Sequence, residues 1–253
     1  MAVTIFRLLR ARRDSDNLRR MKAVFQACPP RRASEPQRDT GAGGVRKLPA
    51  WLKWSLTVFL ALWLPAMFNT YGAQNVLWLC EVGNLFLVLA LWLENRLLLS
   101  ALLDGLLLVD LAWGADLLVA LASNLHPFGA TANMFDPSIP LPVRLGSLFH
   151  LAVPAALLFA VARLGYDRRG FLLQTAITTV VLTVSYLATT PLSNVNWVFG
   201  LGALQQTVPA PAYLLFCMVA YPLILYLPVH LVAARCMPME RVAAGVTATA
   251  RRD

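Results

Sequence analysis

Six apolar runs of about membrane-spanning length dominate this chain, at residues 51–69, 76–93, 97–122, 143–162, 171–189 and 211–233. A hydrocarbon layer about 30 Å thick takes about 20 apolar residues of helix to cross, and inside it the backbone must satisfy its own hydrogen bonds. With 58% hydrophobic and only 14% charged residues, and a mean hydropathy of +0.61, the chain is too apolar for a soluble domain of its length. The weakest run is the second, whose ends are crowded by Gln74 and Glu94. Lys53 lies close enough to the end of the first for its ammonium to snorkel. Pro154, Pro222 and Pro228 fall inside runs and predict kinks.

The formal charge of +9 suggests nucleic-acid binding until its distribution is read. With a cytoplasmic N-terminus, 21 of the 22 Lys and Arg residues fall on the inner side and only Arg144 on the outer. The positive-inside rule then predicts an all-α polytopic membrane bundle of six transmembrane helices, both termini cytoplasmic, in the cell membrane. Nucleic acid is a poor partner, because the basic stretch "PPRRASEPQRDTGAGGVRK" has no aromatic side chain for base stacking. Membrane lipids are the expected partners, and the sequence sets no oligomeric state.

Three regions follow: a basic cytoplasmic segment over 1–50, the spanning domain over 51–233, and a short basic tail over 234–253. The first suits an interfacial helix on anionic lipid, with disorder expected from about residue 28. Met21 is a second candidate start. Of the four cysteines, Cys28 and Cys236 face a reducing compartment in this topology and read as free thiols. Cys80 and Cys217 lie in outer halves of spans, and the sequence leaves open whether they pair. No cysteine or histidine spacing preorganises a metal site, and neither a Gly-rich phosphate loop nor GxSxG is present, so no cofactor is expected.

The topology sorts scattered polar residues into depths. At 1.5 Å per residue, Cys80 lies roughly 7 Å below the outer end of the second span, His150 about 10–12 Å down the fourth and Asp116 about 9 Å from the exit of the third. Glu81 and Asn84 join them in one outer slab. Cys80 and Asn84 are i,i+4 on one helix face, and Glu81 and Asn84 are i,i+3. A thiol and an imidazole at one depth are the minimum pair for nucleophilic catalysis, the imidazole taking the proton and the thiolate attacking an acyl carbon. Asn84 or Asn196 is a candidate oxyanion donor, and Glu81 or Asp116 a candidate partner for the imidazole. Bland roles compete: Cys as a small packing residue, His as an interhelical hydrogen-bonding group, Glu81 paired with Arg144 or His150. Asp104, Asp110 and Asp116 recur every six residues, rotated by about 240° each, so they form no single stripe along a helix. Asp104 and His230 are placed to reach the inner interface, which leaves Asp110 deep and unexplained.

Three stretches carry a family resemblance. "LWLCEVGNLFLVLALW" resembles a Leu-Cys-Asp motif heading a span, "RLGSLFHLAVPAALLFAV" a Phe-x-Ser-His-Gly motif, and "SNVNWVFG" a Thr-Asn-Tyr-Met-Phe motif. Together they make roughly residues 70–233 similar to the YwaF-like integral membrane family. That resemblance implies a six-helix fold and a lipid acyltransferase activity using a Cys and a His, which fall on Cys80 and His150. Glu81 stands where the family has Asp, and Leu151 where it has Gly. The function expected is a multi-pass membrane protein acting as a lipid acyltransferase. Alternatives are a small transporter or channel built on intramembrane carboxylates, and a non-catalytic scaffold or assembly protein whose polar layer binds helices together.

Overall fold

The computed structural model describes residues 47–127 and 129–237. The expectations for the N-terminal segment, Met21, Cys28 and the tail beyond Met237 lie outside the described residues. All described residues belong to one packed unit.

Among them every element is helical. Helix α1 (Ala50–Tyr71) ends at Gly72, and a 3₁₀ turn (Ala73–Leu77) leads into α2 (Leu79–Leu93) and α3 (Arg96–Ser123). Two short helices, α4 (Ala132–Phe135) and α5 (Leu141–Gly146), precede α6 (Phe149–Leu164) and α7 (Gly170–Ala188). A second 3₁₀ turn (Val195–Trp197) and α8 (Leu204–Thr207) lead to α9 (Ala210–Ala220), a π-helical segment (Tyr221–Tyr226) and α10 (Leu227–Cys236).

Five of the six apolar runs are helices long and apolar enough to cross a membrane: α1, α3, the Leu141–Leu164 pair, α7 and the Ala210–Cys236 series. The second run differs from expectation. Its helix has only 15 residues, a rise of about 22 Å against a hydrocarbon core of about 30 Å. Gly72 at φ 84° ends α1, and Trp78 at ψ 136° breaks the chain between the 3₁₀ turn and α2. Backbone geometry, invisible to hydropathy, shortens this element. The kink expected at Pro222 coincides with the π-helical segment, a widened turn of the kind that accommodates proline, whereas Pro228 sits in the first turn of α10.

Helix α3 is the centre. It packs on α2, α6, α7, α10 and the π segment. Leu99, Leu102, Leu103 and Leu106 are almost wholly buried, as suits a helix apolar all round. Asn95 caps its start by accepting from Leu98 N at 3.0 Å. The tight link from α2 puts Glu94 in the left-handed region at φ 48°. That strained residue is held by Lys53 Nζ, which donates to its carboxylate at 2.6 Å, and by Leu48 N at 3.1 Å. At the far side, α7 starts so close to α3 that a Cβ on Gly170 would sit 2.7 Å from Ala101 N.

Cys80 and Cys217 are both free thiols. Cys236 is disulfide-bonded, against the expectation of a free thiol. That expectation came from compartment chemistry, which sets a redox preference and carries no information on which thiols meet in space.

Two outcomes are expected. Gly170→Ala forces backbone apart and destabilises by about 1–3 kcal/mol, read as a lower thermal midpoint in detergent. The hydrogen bond from Lys53 holds the Glu94 carboxyl below the usual carboxylate range. A depressed carboxylate contributes stability above its unfolded pKa and loses it as pH falls through the folded value. The stability gap between wild type and Lys53→Met should therefore narrow on acidification, measured by melting across pH.

Candidate functional site

A groove of 380 Å³ runs between α3 and α6. Helix α3 contributes Asp110, Leu111, Gly114, Ala115, Leu117 and Leu118, and α6 contributes His150, Leu151 and Pro154. The helical period explains its two zones. Asp110, Gly114 and Leu117 share one face at i, i+4, i+7, and Leu111 and Leu118 share the next. Asp110 and His150 are buried, whereas Leu111, Leu118 and Leu151 are more than half exposed. The groove thus has a polar floor and an apolar rim on the outside of the bundle. Gly114 keeps it open, since a Cβ there would meet the Leu151 side chain at 2.9 Å.

The floor presents acceptors. Both carboxylate oxygens of Asp110 lack a hydrogen-bond partner among the described residues, at 1% exposure. His150 Nδ1 lies 2.8 Å from the Ser147 carbonyl. A carbonyl only accepts, so Nδ1 carries the hydrogen and Nε2 keeps the lone pair in the neutral ring. Stacking on Trp113, centroids 4.6 Å apart, and on Phe149 at 4.0 Å fixes the imidazole plane. Leaving a buried acceptor unsatisfied costs about 1–3 kcal/mol, and more for a charged group. The site therefore favours a ligand bearing O–H or N–H donors.

The remaining predicted residues separate into several roles. Cys80 sits half-buried in the first turn of α2, against the main core. It does not line the groove, and no hydrogen bond joins it to His150 among the described residues. Asp110 connects the two halves: it lies within electrostatic reach of both Cys80 and Glu81, and it lines the groove with His150. Glu81, expected to pair with Arg144 or His150, accepts instead from Trp63 Nε1 at 3.0 Å. Asn84, i+4 from Cys80 and i+3 from Glu81, is buried, and its carboxamide acts on the Glu81 carboxylate.

Asp116 and Asn196 are engaged elsewhere. Asp116 Oδ2 accepts from Thr131 N at 3.1 Å and Thr131 Oγ1 at 2.7 Å, which pins the loop before α4 to α3. Asn196, at φ 54°, accepts from Leu79 N at 2.9 Å and donates to Leu77 O at 2.7 Å and Ser185 Oγ at 2.9 Å. Both amide hydrogens are spent, so Asn196 clamps the start of α2 onto α7 and offers no donor to an oxyanion. The Ser147 carbonyl holds the imidazole, and its hydroxyl accepts from Asn133 at 3.2 Å.

Sequence reasoning missed a further cluster at the other end of α3. Asp104 is fully buried, and both its oxygens lie 2.7–2.8 Å from the Tyr166 hydroxyl. His230 Nδ1 is 2.7 Å from the same hydroxyl. Asp104 does not reach the interface as expected, because Tyr166, from the loop between α6 and α7, folds in between it and His230, which stays partly exposed. Tyr166 had no neighbour in the sequence that marked it. Among the described residues no group of three or more His, Cys, Asp or Glu is placed to hold a metal ion. Compared with family models, curated proteins and solved structures, the chain matches none of them.

Replacing Asn196 with Ala strips three partners of their hydrogen bonds at once. The expected loss is about 1–3 kcal/mol per buried group left unpaired, seen as a large drop in thermal midpoint, whereas Asp116→Asn, which keeps an acceptor, should cost less.

Proposed function

We propose that the chain is a six-segment integral membrane protein of the cell membrane, basic ends cytoplasmic, that transfers acyl groups between lipids, with Cys80 on α2 as the acyl carrier and the α3–α6 groove as the acceptor's site. The resemblance to the YwaF-like family belongs to the same proposal. The observation that carries it is Asp110: a buried carboxylate without a donor, on the floor of a groove whose rim is apolar. In a bilayer such a groove opens to hydrocarbon, so an amphiphile can bring chain and head to it without crossing water.

Each side chain has a role in this reading. A lipid hydroxyl donates to Asp110 and His150 Nε2. Cys80 is the acyl carrier: its sulfur forms the thioester as the ester C–O bond breaks, and the thiol proton leaves with the departing alcohol. The bound hydroxyl then attacks the thioester carbon, its proton passes to His150 Nε2, and that proton returns to the Cys80 thiolate as the C–S bond breaks. Asn84, one turn from Cys80, is the donor for the developing oxyanion in place of Asn196. Asp110 orients the acceptor hydroxyl.

A second reading draws on another observation: α3 carries three buried carboxylates, Asp104, Asp110 and Asp116. Intramembrane carboxylates mark ion and proton pathways. The two readings separate on one set of variants. Transfer of labelled acyl chains by purified protein in nanodiscs should fall by roughly 10²–10⁴-fold in Cys80→Ser and His150→Ala. Unchanged transfer in both variants would remove the acyltransferase reading. Ion flux lost in Asp110→Asn but intact in Cys80→Ser would install transport in its place.

A further inference from the structure

The Asp104–Tyr166–His230 cluster lies outside the groove and takes no part in the chemistry proposed there. It joins three elements: Asp104 on α3, Tyr166 in the loop before α7, and His230 on α10. Tyr166 has a single hydroxyl proton but three acceptor-capable atoms around it, the two Asp104 oxygens and His230 Nδ1. Two complete hydrogen-bond arrangements satisfy all of them. In the first, Tyr166 donates to an ionised Asp104 and His230 Nδ1–H donates to the Tyr166 oxygen, leaving Nε2 as a lone pair. In the second, a protonated Asp104 donates to Tyr166, Tyr166 donates to Nδ1, and the hydrogen of His230 sits on Nε2.

Exposure along the cluster is graded: Asp104's side chain is 0% exposed and His230's 17%, so the histidine is the least buried member. The two rings lie 5.8 Å apart, and Phe171 packs on the imidazole at 5.2 Å. The charged neighbours are Arg168, which acts on both His230 and Tyr166, and Asp167, which acts on Tyr166 and is itself held by Arg169 and Arg96. Arg235 lies further along α10. Gln174, Thr178 and Tyr226 form a separate network on α7 and the π segment, in which Thr178 Oγ1 and the Tyr226 hydroxyl lie 2.8 Å apart.

We infer that Asp104, Tyr166 and His230 are a proton-relay triad that loads the buried Asp104 with a proton from water at the basic end of the bundle. A proton from hydronium bonds to His230 Nε2. The Nδ1–H bond breaks and its proton joins the Tyr166 oxygen, while the original Tyr166 proton moves to Asp104. The imidazole changes tautomer and stays neutral, Tyr166 ends as a phenol, and the net change is one proton gained by Asp104. Burial and the neighbouring Asp104 carboxylate push the Tyr166 phenol above its ordinary value, so this residue passes a proton on and does not rest as phenolate. The relay is independent of the reaction at the groove. It supplies the stored proton that a proton-coupled membrane protein needs, at a residue water does not reach.

The test is a pH jump on full-length protein in nanodiscs, following the infrared stretch of the protonated carboxyl in time. Asp104→Asn should delete one component of that band, and Asp110→Asn should leave that component in place. Tyr166→Phe and His230→Gly should keep the component but slow its appearance by roughly 10²-fold, and added imidazole should restore the rate in His230→Gly. Wild-type kinetics should slow in D₂O, because two or more protons move. This last arm needs no variant to fold. An unchanged band in Asp104→Asn, a wild-type rate in Tyr166→Phe, failure of imidazole to rescue, or equal rates in H₂O and D₂O would each overturn the relay.

Discussion

A carboxylate surrounded by hydrocarbon and helix has no water to solvate it, and that constraint organises the described bundle. Helix α3 carries three such groups on the side it buries against its neighbours. Each meets a different environment. Asp116 is satisfied by Thr131, which draws the loop before α4 onto the helix. Asp104 is satisfied through Tyr166, which draws in the loop between α6 and α7 and, through His230, α10. Two of the three thus tie connecting segments to the central helix, as buried polar pairs do when the alternative is an unpaired group. Asp110, lying between them in sequence, ties nothing.

That asymmetry gives the groove its character. Structural carboxylates find donors within the chain, whereas Asp110 lies beside a histidine whose free nitrogen is also an acceptor. The Ser147 carbonyl dictates this by claiming Nδ1–H, and the rings of Trp113 and Phe149 keep the imidazole from turning.

Much of this was legible before any coordinates. The apolar runs marked the helices because a 20-residue apolar stretch has few other outcomes, and Asp110 stood out as deep and without a role. Cys80, Glu81, Asn84 and His150 were grouped by depth alone. Depth did not reveal that Glu81 turns to Trp63, that Asn196 spends its whole carboxamide on α2 and α7, or that Asp110 rather than Cys80 shares the groove with His150. The second run already stood out as the weakest, but where α2 begins was not legible, because Trp78 breaks the helix through backbone angles while its apolar side chain continues the hydropathy signal.

The sequence by itself determined the approximate extent of the apolar segments, the clustering of basic residues between and beyond them, and the presence of polar groups inside them. These follow from properties each residue carries along its own chain: transfer energy, rise per residue and side-chain charge. Only the tertiary structure decided the partners. A helix's period sets the angle between its own residues but leaves its rotation against neighbouring helices free. That rotation brings Tyr166 between Asp104 and His230 and leaves Asp110 facing a groove.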